Sequence, residues 1–269
     1  MVLKQFLGMT CAMGLLLAAC ETPAAENDPT GAVETPNNKG TLEQRAHREY
    51  QAQLEIPVTE KYTLQIYKAH LNADNSEDAI ITINRFDLAM DNAAKANNPS
   101  KHAEFGYMGN YNYVMYYDGM RDQFSAPIVV PSSAKTPLEV GFEHVQSDAF
   151  QTTTIEYRIR ELGMKSYYFV QNNTFALVFE WKLYDRVGTS DYEANVLELG
   201  TEGELTGNKD ILIFSGKIKD YTTEIPDMYA YEPVIEKKGG LLYRFFYNPQ
   251  LGKYVTRKSE ANGPLPTFN

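Results

Sequence analysis

Beyond the first sixty or so residues, apolar and polar side chains alternate with a period of two, and that pattern leaves little room for anything but β-strands. In the clearest stretch Phe175, Leu177, Phe179, Trp181 and Leu183 fall on one side, and Ala176, Val178, Glu180, Lys182 and Tyr184 on the other. A strand sends successive side chains to opposite faces, whereas a helix would scatter either set around its axis. Ile155, Tyr157 and Ile159 alternate with Glu156, Arg158 and Arg160, which predicts a strand with one buried and one charged face. Near the C-terminus, Gly239-Gly240 is expected to turn between Pro233–Lys238 and Leu241–Tyr247. The run Asn248–Gly252 is expected to turn again into Lys253–Arg257, giving a meander of hairpins. Helix is expected mainly at 41–55. There Thr41 and Gln44 have capping-box spacing, Leu42, Ala46, Tyr50 and Leu54 recur every fourth residue, and Pro57 closes the run. Residues 88–104, polar and Ala-rich, read as a long loop or a short helical excursion. The class is therefore all-β, with a short N-terminal helix.

Composition narrows the function classes. Hydrophobic residues make up 43% of the 269, enough for a folded core, and 19 Tyr with 13 Phe lean towards sheet. The net charge of -10 argues against a nucleic-acid partner, because phosphate contacts need clustered Lys and Arg.

The N-terminus reads as an address. Lys4 supplies a positive start, an apolar stretch runs from Phe6 to Ala19, and Leu17-Ala18-Ala19-Cys20 follows. The charge order and length are those of a secretory signal, too short for a comfortable membrane span. The last four residues resemble the bacterial lipobox. That resemblance implies cleavage before Cys20, diacylation of its thiol with palmitate-like chains and anchoring in the cell envelope, with the outer membrane favoured. Residues 1–19 would then be the signal peptide. Cys11, the other of the two Cys, would leave with it, so neither a disulfide nor a thiol catalyst is expected. Residues 20–40 carry three Pro and no aromatic residue and read as a flexible tether; 41–269 form the β-rich body.

Within the body, His70-Leu-Asn72-Ala-Asp74-Asn75-Ser76-Glu77-Asp78 precedes the apolar run Ala79–Ile83. It resembles the loop-strand unit of FG-GAP and VCBS repeats, with D-x-N-x-D-G-x-x-D ahead of a strand. The resemblance continues through Tyr113–Gly119 and Gln123–Pro131, so that it covers roughly 65–131. Degraded echoes follow at His144-Val-Gln146-Ser-Asp148 and Glu204-Leu-Thr-Gly-Asn208-Lys-Asp210. The family implies blade-like antiparallel sheets, here a partial or small β-propeller or packed blades. It also implies a hard-cation loop in which Asn72, Asp74, Ser76 (through its carbonyl) and Asp78 would hold Ca²⁺. His70 stands where the family has its first Asp, and imidazole is a poor Ca²⁺ ligand. The competing reading is a metal-free turn held by Asx hydrogen bonds, with no cofactor.

Signals for catalysis are sparse. The four His make no H-x-x-x-H or H-E-x-x-H pattern, and neither a G-x-S-x-G elbow nor a phosphate-binding Gly loop occurs. The expected function is a membrane-anchored, non-catalytic binding or scaffolding lipoprotein. Its partners would be the lipid bilayer, through acylated Cys20, and a protein or glycan. The alternative is a surface glycan hydrolase using paired carboxylates, with Glu139 and Glu143 or Glu156 and Glu180 as candidate pairs. The Tyr-rich run Tyr111–Tyr117 reads as sheet packing rather than a sugar-stacking stripe.

Overall fold

The computed structural model describes residues 39–95, 109–171, 174–203 and 206–262. The expected signal peptide, almost all of the expected tether, His102 and the start of the third loop echo lie outside them. Helix α1 (Leu42–Gln53) opens with the expected capping box: the Gln44 amide donates to Thr41 Oγ1 and Gln44 Oε1 accepts from the Thr41 amide. Its buried stripe, Ala46 and Tyr50, lies on a five-stranded sheet and packs against Ala79, Ile81, Ile83 and Met115. The Tyr50 hydroxyl donates to the Ile81 carbonyl at 2.6 Å, so the one polar atom on that stripe is satisfied.

The five-stranded sheet is β1 (Thr63–Ala69), β2 (Asp78–Asn84), β3 (Asn112–Asp118), β4 (Gln123–Phe124) and β5 (Ile128–Val130), with β4 and β5 both paired to β3. A helical excursion, α2 (Phe86–Lys95), follows β2. The second sheet has eight strands in sequence order: β6 (Glu139–Glu143), β7 (Thr152–Ile159), β8 (Leu162–Gln171), β9 (Thr174–Asp185), β10 (Glu193–Glu202), β11 (Lys209–Ile218), β12 (Ile235–Asn248) and β13 (Lys253–Val255). All pairings are antiparallel, as an all-β meander requires. Among the described residues no helix is long and apolar enough to cross a membrane.

The eight strands act as two four-stranded meanders. β9 and β10 share only the pairs Glu193–Asp185 and Ala194–Tyr184, so the sheet bends there and β10–β13 fold back over β6–β9. Between the halves lies an aromatic core in which Phe179 meets Phe245 at 4.9 Å and Phe169 meets Tyr247 at 5.2 Å. The other face of β6–β9 presents Ile155, Tyr168 and Phe175 to Ile80, Val114 and Tyr116 of the first sheet. The body is thus layered: helix, sheet, meander, meander. These blade-like sheets stack face to face.

Two sequence expectations change. The uniform face of β9 is broken by a register shift: Tyr167 pairs with Phe179 but Tyr168 with Leu177, leaving Val178 as an extra residue. Phe179 and Trp181 therefore enter the aromatic core, Phe175 enters the layer on the opposite side, and Leu177 is 41% exposed. A bulge does this because one added residue flips every side chain beyond it. Gly239-Gly240 makes no hairpin; both lie inside the single strand β12. Phe214 pairs with Leu241 and Gly216 with Lys237, so the glycines absorb extra residues in an irregular bulge over β11. The hairpin turn comes later, at Asn248–Lys253.

The β1–β2, β6–β7 and β10–β11 connections each join the first and second strands of a meander, the first two of them spanning 70–77 and 144–151. Backbone bonds tie them in series, Gln151 N to His70 O at 2.7 Å and Lys209 N to Val145 O at 2.8 Å. The hairpins β3–β4 and β12–β13 also correspond. Asp118 pairs with Gln123 and Asn248 with Lys253, and the last residue of each loop is left-handed, Asp122 at φ 55° and Gly252 at φ 63°.

Candidate functional site

Two places gather chemistry. The first is the loop 70–78. The Asn72 side chain accepts from the Asp74 amide at 2.7 Å and the Asp74 side chain from the Ser76 amide at 2.8 Å, two successive Asx turns. His70 Nδ1 donates to the Ser76 carbonyl at 2.9 Å. Asp78, only 1% exposed, accepts from Leu71 N at 3.2 Å and Gly119 N at 3.0 Å, clamping the loop to the β3–β4 hairpin. Asp118, 2% exposed, accepts from the Arg121 amide and pairs with its guanidinium at 3.0 Å. One oxygen from each of Asp74, Asp78 and Asp118 lies within 4.8 Å of the others.

Of the expected Ca²⁺ set, the structure therefore brings Asp74 and Asp78 together and adds Asp118 from a strand end forty residues further along. The sequence offered a hint only in the Asp-Gly that ends β3. The donor chemistry fits Ca²⁺ in part: three carboxylates converge, but the Ser76 carbonyl is engaged by His70, Asx bonds hold Asn72 Oδ1 and one Asp74 oxygen, and Arg121 neutralises Asp118. Calorimetric titration of Ca²⁺ is expected to give the same dilution-level heat in the wild type and in Asp74→Ala. A binding heat lost only in the variant would instead install the ion at this loop.

Burial, with Asp74 nearby, raises the Asp78 carboxyl above its ordinary value, against the opposing backbone bonds from Gly119 and Leu71. A carboxyl raised on folding keeps its proton longer in the folded state. Its ionisation therefore costs stability, with no cost below the unfolded pKa and the full cost above the folded one. Wild-type stability relative to Asp78→Asn is expected to fall as pH rises through that window, measured by urea unfolding from acid to neutral pH. Gly119 is needed for the same clamp: an added Cβ would lie 2.1 Å from the Glu77 carbonyl oxygen. Gly119→Ala is expected to cost about 1–3 kcal/mol through backbone overlap, read as a lower urea midpoint.

The second place is a cleft of about 380 Å³ near the β7–β8 turn, at the opposite end of the strands. Glu139 and Glu156 are direct cross-strand partners on β6 and β7, and both line it, with Glu232 from the β11–β12 connection. Burial first, then the charges of Glu156 and Glu232, push the Glu139 carboxyl up. Glu156 is ion-paired with Lys165 at 3.1 Å. The floor holds Arg158, 7% exposed, although its strand was expected to turn a charged face to solvent.

Neither carboxylate pair anticipated from sequence forms. Glu139 and Glu143 are four residues apart on one strand, which separates them by about 13 Å; Glu143 instead binds Lys165 at 2.7 Å and accepts from Tyr167. Glu180 sits opposite Ser166, on the face of the sheet away from Glu156, and accepts from Tyr157 and Ser166. The pair that does form, Glu139 with Glu156, depends on strand register. The tyrosines of β3 are drawn into packing: Tyr116 lies between the sheets, while Tyr113 and Tyr117 pack on the helix side.

The molecule is thus defined as an all-β stack of three antiparallel meanders with an acidic loop cluster at one end and a carboxylate-lined cleft at the other. No family model, curated protein or solved structure matches the chain.

Proposed function

We propose that this chain is a membrane-anchored bacterial cell-envelope lipoprotein whose β body is a non-catalytic binding or scaffolding module. The observation that carries the reading is the order along the chain: Lys4, the apolar stretch, Leu17-Ala18-Ala19-Cys20, a proline-bearing spacer, and then a capped helix that begins at Thr41. Such an order attaches a folded body to a bilayer through lipid on Cys20 and leaves it room to meet a partner. The outer membrane is the favoured site. The repeated loop position and the cleft support a degenerate VCBS-like module that binds protein or glycan. In cells crosslinked in place, a tagged chain is expected to recover a specific envelope protein or glycan. Recovery of neither, together with no binding across a glycan panel, would count decisively against a binding role.

A second reading, glycan hydrolysis, is favoured by one observation: Glu139 and Glu156 stand side by side as cross-strand partners in the wall of a cleft, and burial beside Glu156 and Glu232 raises the Glu139 carboxyl, as an acid's role needs. Release of reducing ends from envelope polysaccharide, lost in Glu139→Gln, would replace the first reading with this one.

A further inference from the structure

The chain enters the body beside the β3–β4 hairpin. Arg45, in the first turn of α1, pairs with Asp122 at 2.6 Å, and Asp122 ends the loop of that hairpin. Beyond the helix, Glu60 pairs with Arg85 at the far end of β2, so α1 leads away from the hairpin. The β12–β13 hairpin lies at the same end of the stack. The Tyr254 hydroxyl donates to the Lys209 carbonyl at 2.8 Å, and the bonds from Lys209 to Val145 and from Gln151 to His70 continue the series to the loop 70–77. Each of the two hairpins holds an aliphatic side chain at its tip, Met120 at 67% exposure and Leu251 at 63%. Single exposed apolar residues are ordinary on a protein surface, so their place decides what they mean. Val58 and Val234, as exposed as these, lie at the opposite end, Val58 between α1 and Glu60 and Val234 just before β12.

We infer that this end of the body docks on the bilayer that holds the acyl chains, with the side chains of Met120 and Leu251 entering the headgroup layer. The inference rests on the anchor proposed above and goes beyond it by giving the body an orientation. The occupant follows from where the chain enters. Cys20 and Lys39 are nineteen residues apart, and a flexible coil of that length spans about 25 Å, less than the length of the body's longest strand, so the hairpin beside the point of entry meets the bilayer before the far end does. Each tip has a cation close by, Arg121 next to Met120 and Lys253 two residues after Leu251, placed to meet lipid phosphates while the aliphatic group goes deeper. Glu77, Asp122 and Asp148, carboxylates of the loops at this end, are each ion-paired, with Lys68, Arg45 and Lys209, which limits repulsion from anionic lipid. Two aliphatic tips hold a free protein weakly. The tether makes docking an intramolecular step, for which a modest energy suffices.

The test uses the acylated chain reconstituted in vesicles of phosphatidylethanolamine and phosphatidylglycerol, with a spin-labelled lipid as quencher. Once Cys11 has left with the signal peptide and Cys20 is acylated, a Cys introduced into the body is the sole reactive thiol. An environment-sensitive fluorophore is attached in turn to Met120→Cys, Leu251→Cys, Val58→Cys and Val234→Cys. Labels at 120 and 251 are expected to shift to the blue and to be quenched by the lipid, and those at 58 and 234 to behave as in water. Leu251→Asp, a change at an exposed side chain, should lower the docked-to-free ratio reported from position 120 by about tenfold, near 1.4 kcal/mol, with no change in the melting curve. In a chain that does enter the vesicles, equal quenching at all four positions, quenching at none, quenching at 58 or 234 alone, or no effect of Leu251→Asp would overturn the inference while the anchor stands. A chain that does not enter the vesicles would remove the anchor, and the inference with it.

Discussion

Cys20→Ala is expected to abolish incorporation of an alkyne-tagged fatty acid and to move the chain out of the membrane fraction. The effect should be close to complete, because among the described residues no helix is long and apolar enough to cross a membrane in its place. Each buried methylene of an acyl chain contributes about 0.8 kcal/mol, so two or three chains hold a protein stably where a single one does not. The thiol is the only atom at that position able to form the thioether, and Ala removes it without disturbing the small-residue run ahead of it. The same variant should leave the melting of the body unchanged, since α1 begins its cap twenty-one residues later at Thr41. Fatty-acid labelling that persists in Cys20→Ala would remove the anchor from the proposal.

Phe245→Ala should have the largest effect on stability. Its ring is 0% exposed and sits where the two meanders meet, 4.9 Å from Phe179 and 5.3 Å from Trp181 by ring centroids. β9 and β10 share only two residue pairs, so the halves of the eight-stranded sheet are held together chiefly by this aromatic layer. Truncating a buried Phe costs about 3–5 kcal/mol, from lost transfer energy and from the cavity that rigid neighbours cannot fill. For a body of this size that corresponds to a fall in Tm of roughly ten degrees. Calorimetry would measure it. A loss under about 1 kcal/mol would mean that the layers rearrange around the gap, contrary to close packing.

The contrast between these positions explains what could be read ahead of the structure. Alternation in 155–160 and 175–184 places strands correctly, because side-chain direction within a strand is a local property of the backbone. The capping box at Thr41 and the turn at Asn248 are equally local, and both form. The bulge at Val178 and the irregularity at Gly239-Gly240 are not local. Each depends on which residues of the neighbouring strand must be met, and that is settled by packing across the sheet.

The candidate sites divide in the same way. Asn72, Asp74 and Asp78 were legible as a loop because their hydrogen bonds run to residues within eight positions or to the adjoining hairpin. Asp118 joins them only because β2 pairs with β3. Glu139 and Glu156 are seventeen residues apart in a chain with 35 acidic side chains, and nothing in their spacing marks them. Only the register of β6 on β7 makes them neighbours. Arg158 had every sign of a solvated charge until the β11–β12 connection covered it and its guanidinium found the Tyr231 carbonyl.

By itself, then, the sequence determined a strand-rich body, a capped helix in front of it and a self-bonded loop at 70–78, since each follows from bonds between near neighbours. The bend at β9–β10, the stacking of three meanders and the meeting of Glu139, Glu156, Glu232 and Arg158 in one cleft were decided by tertiary structure. Those contacts join residues far apart in the chain, and their geometry exists only once the apolar faces have chosen what to bury against.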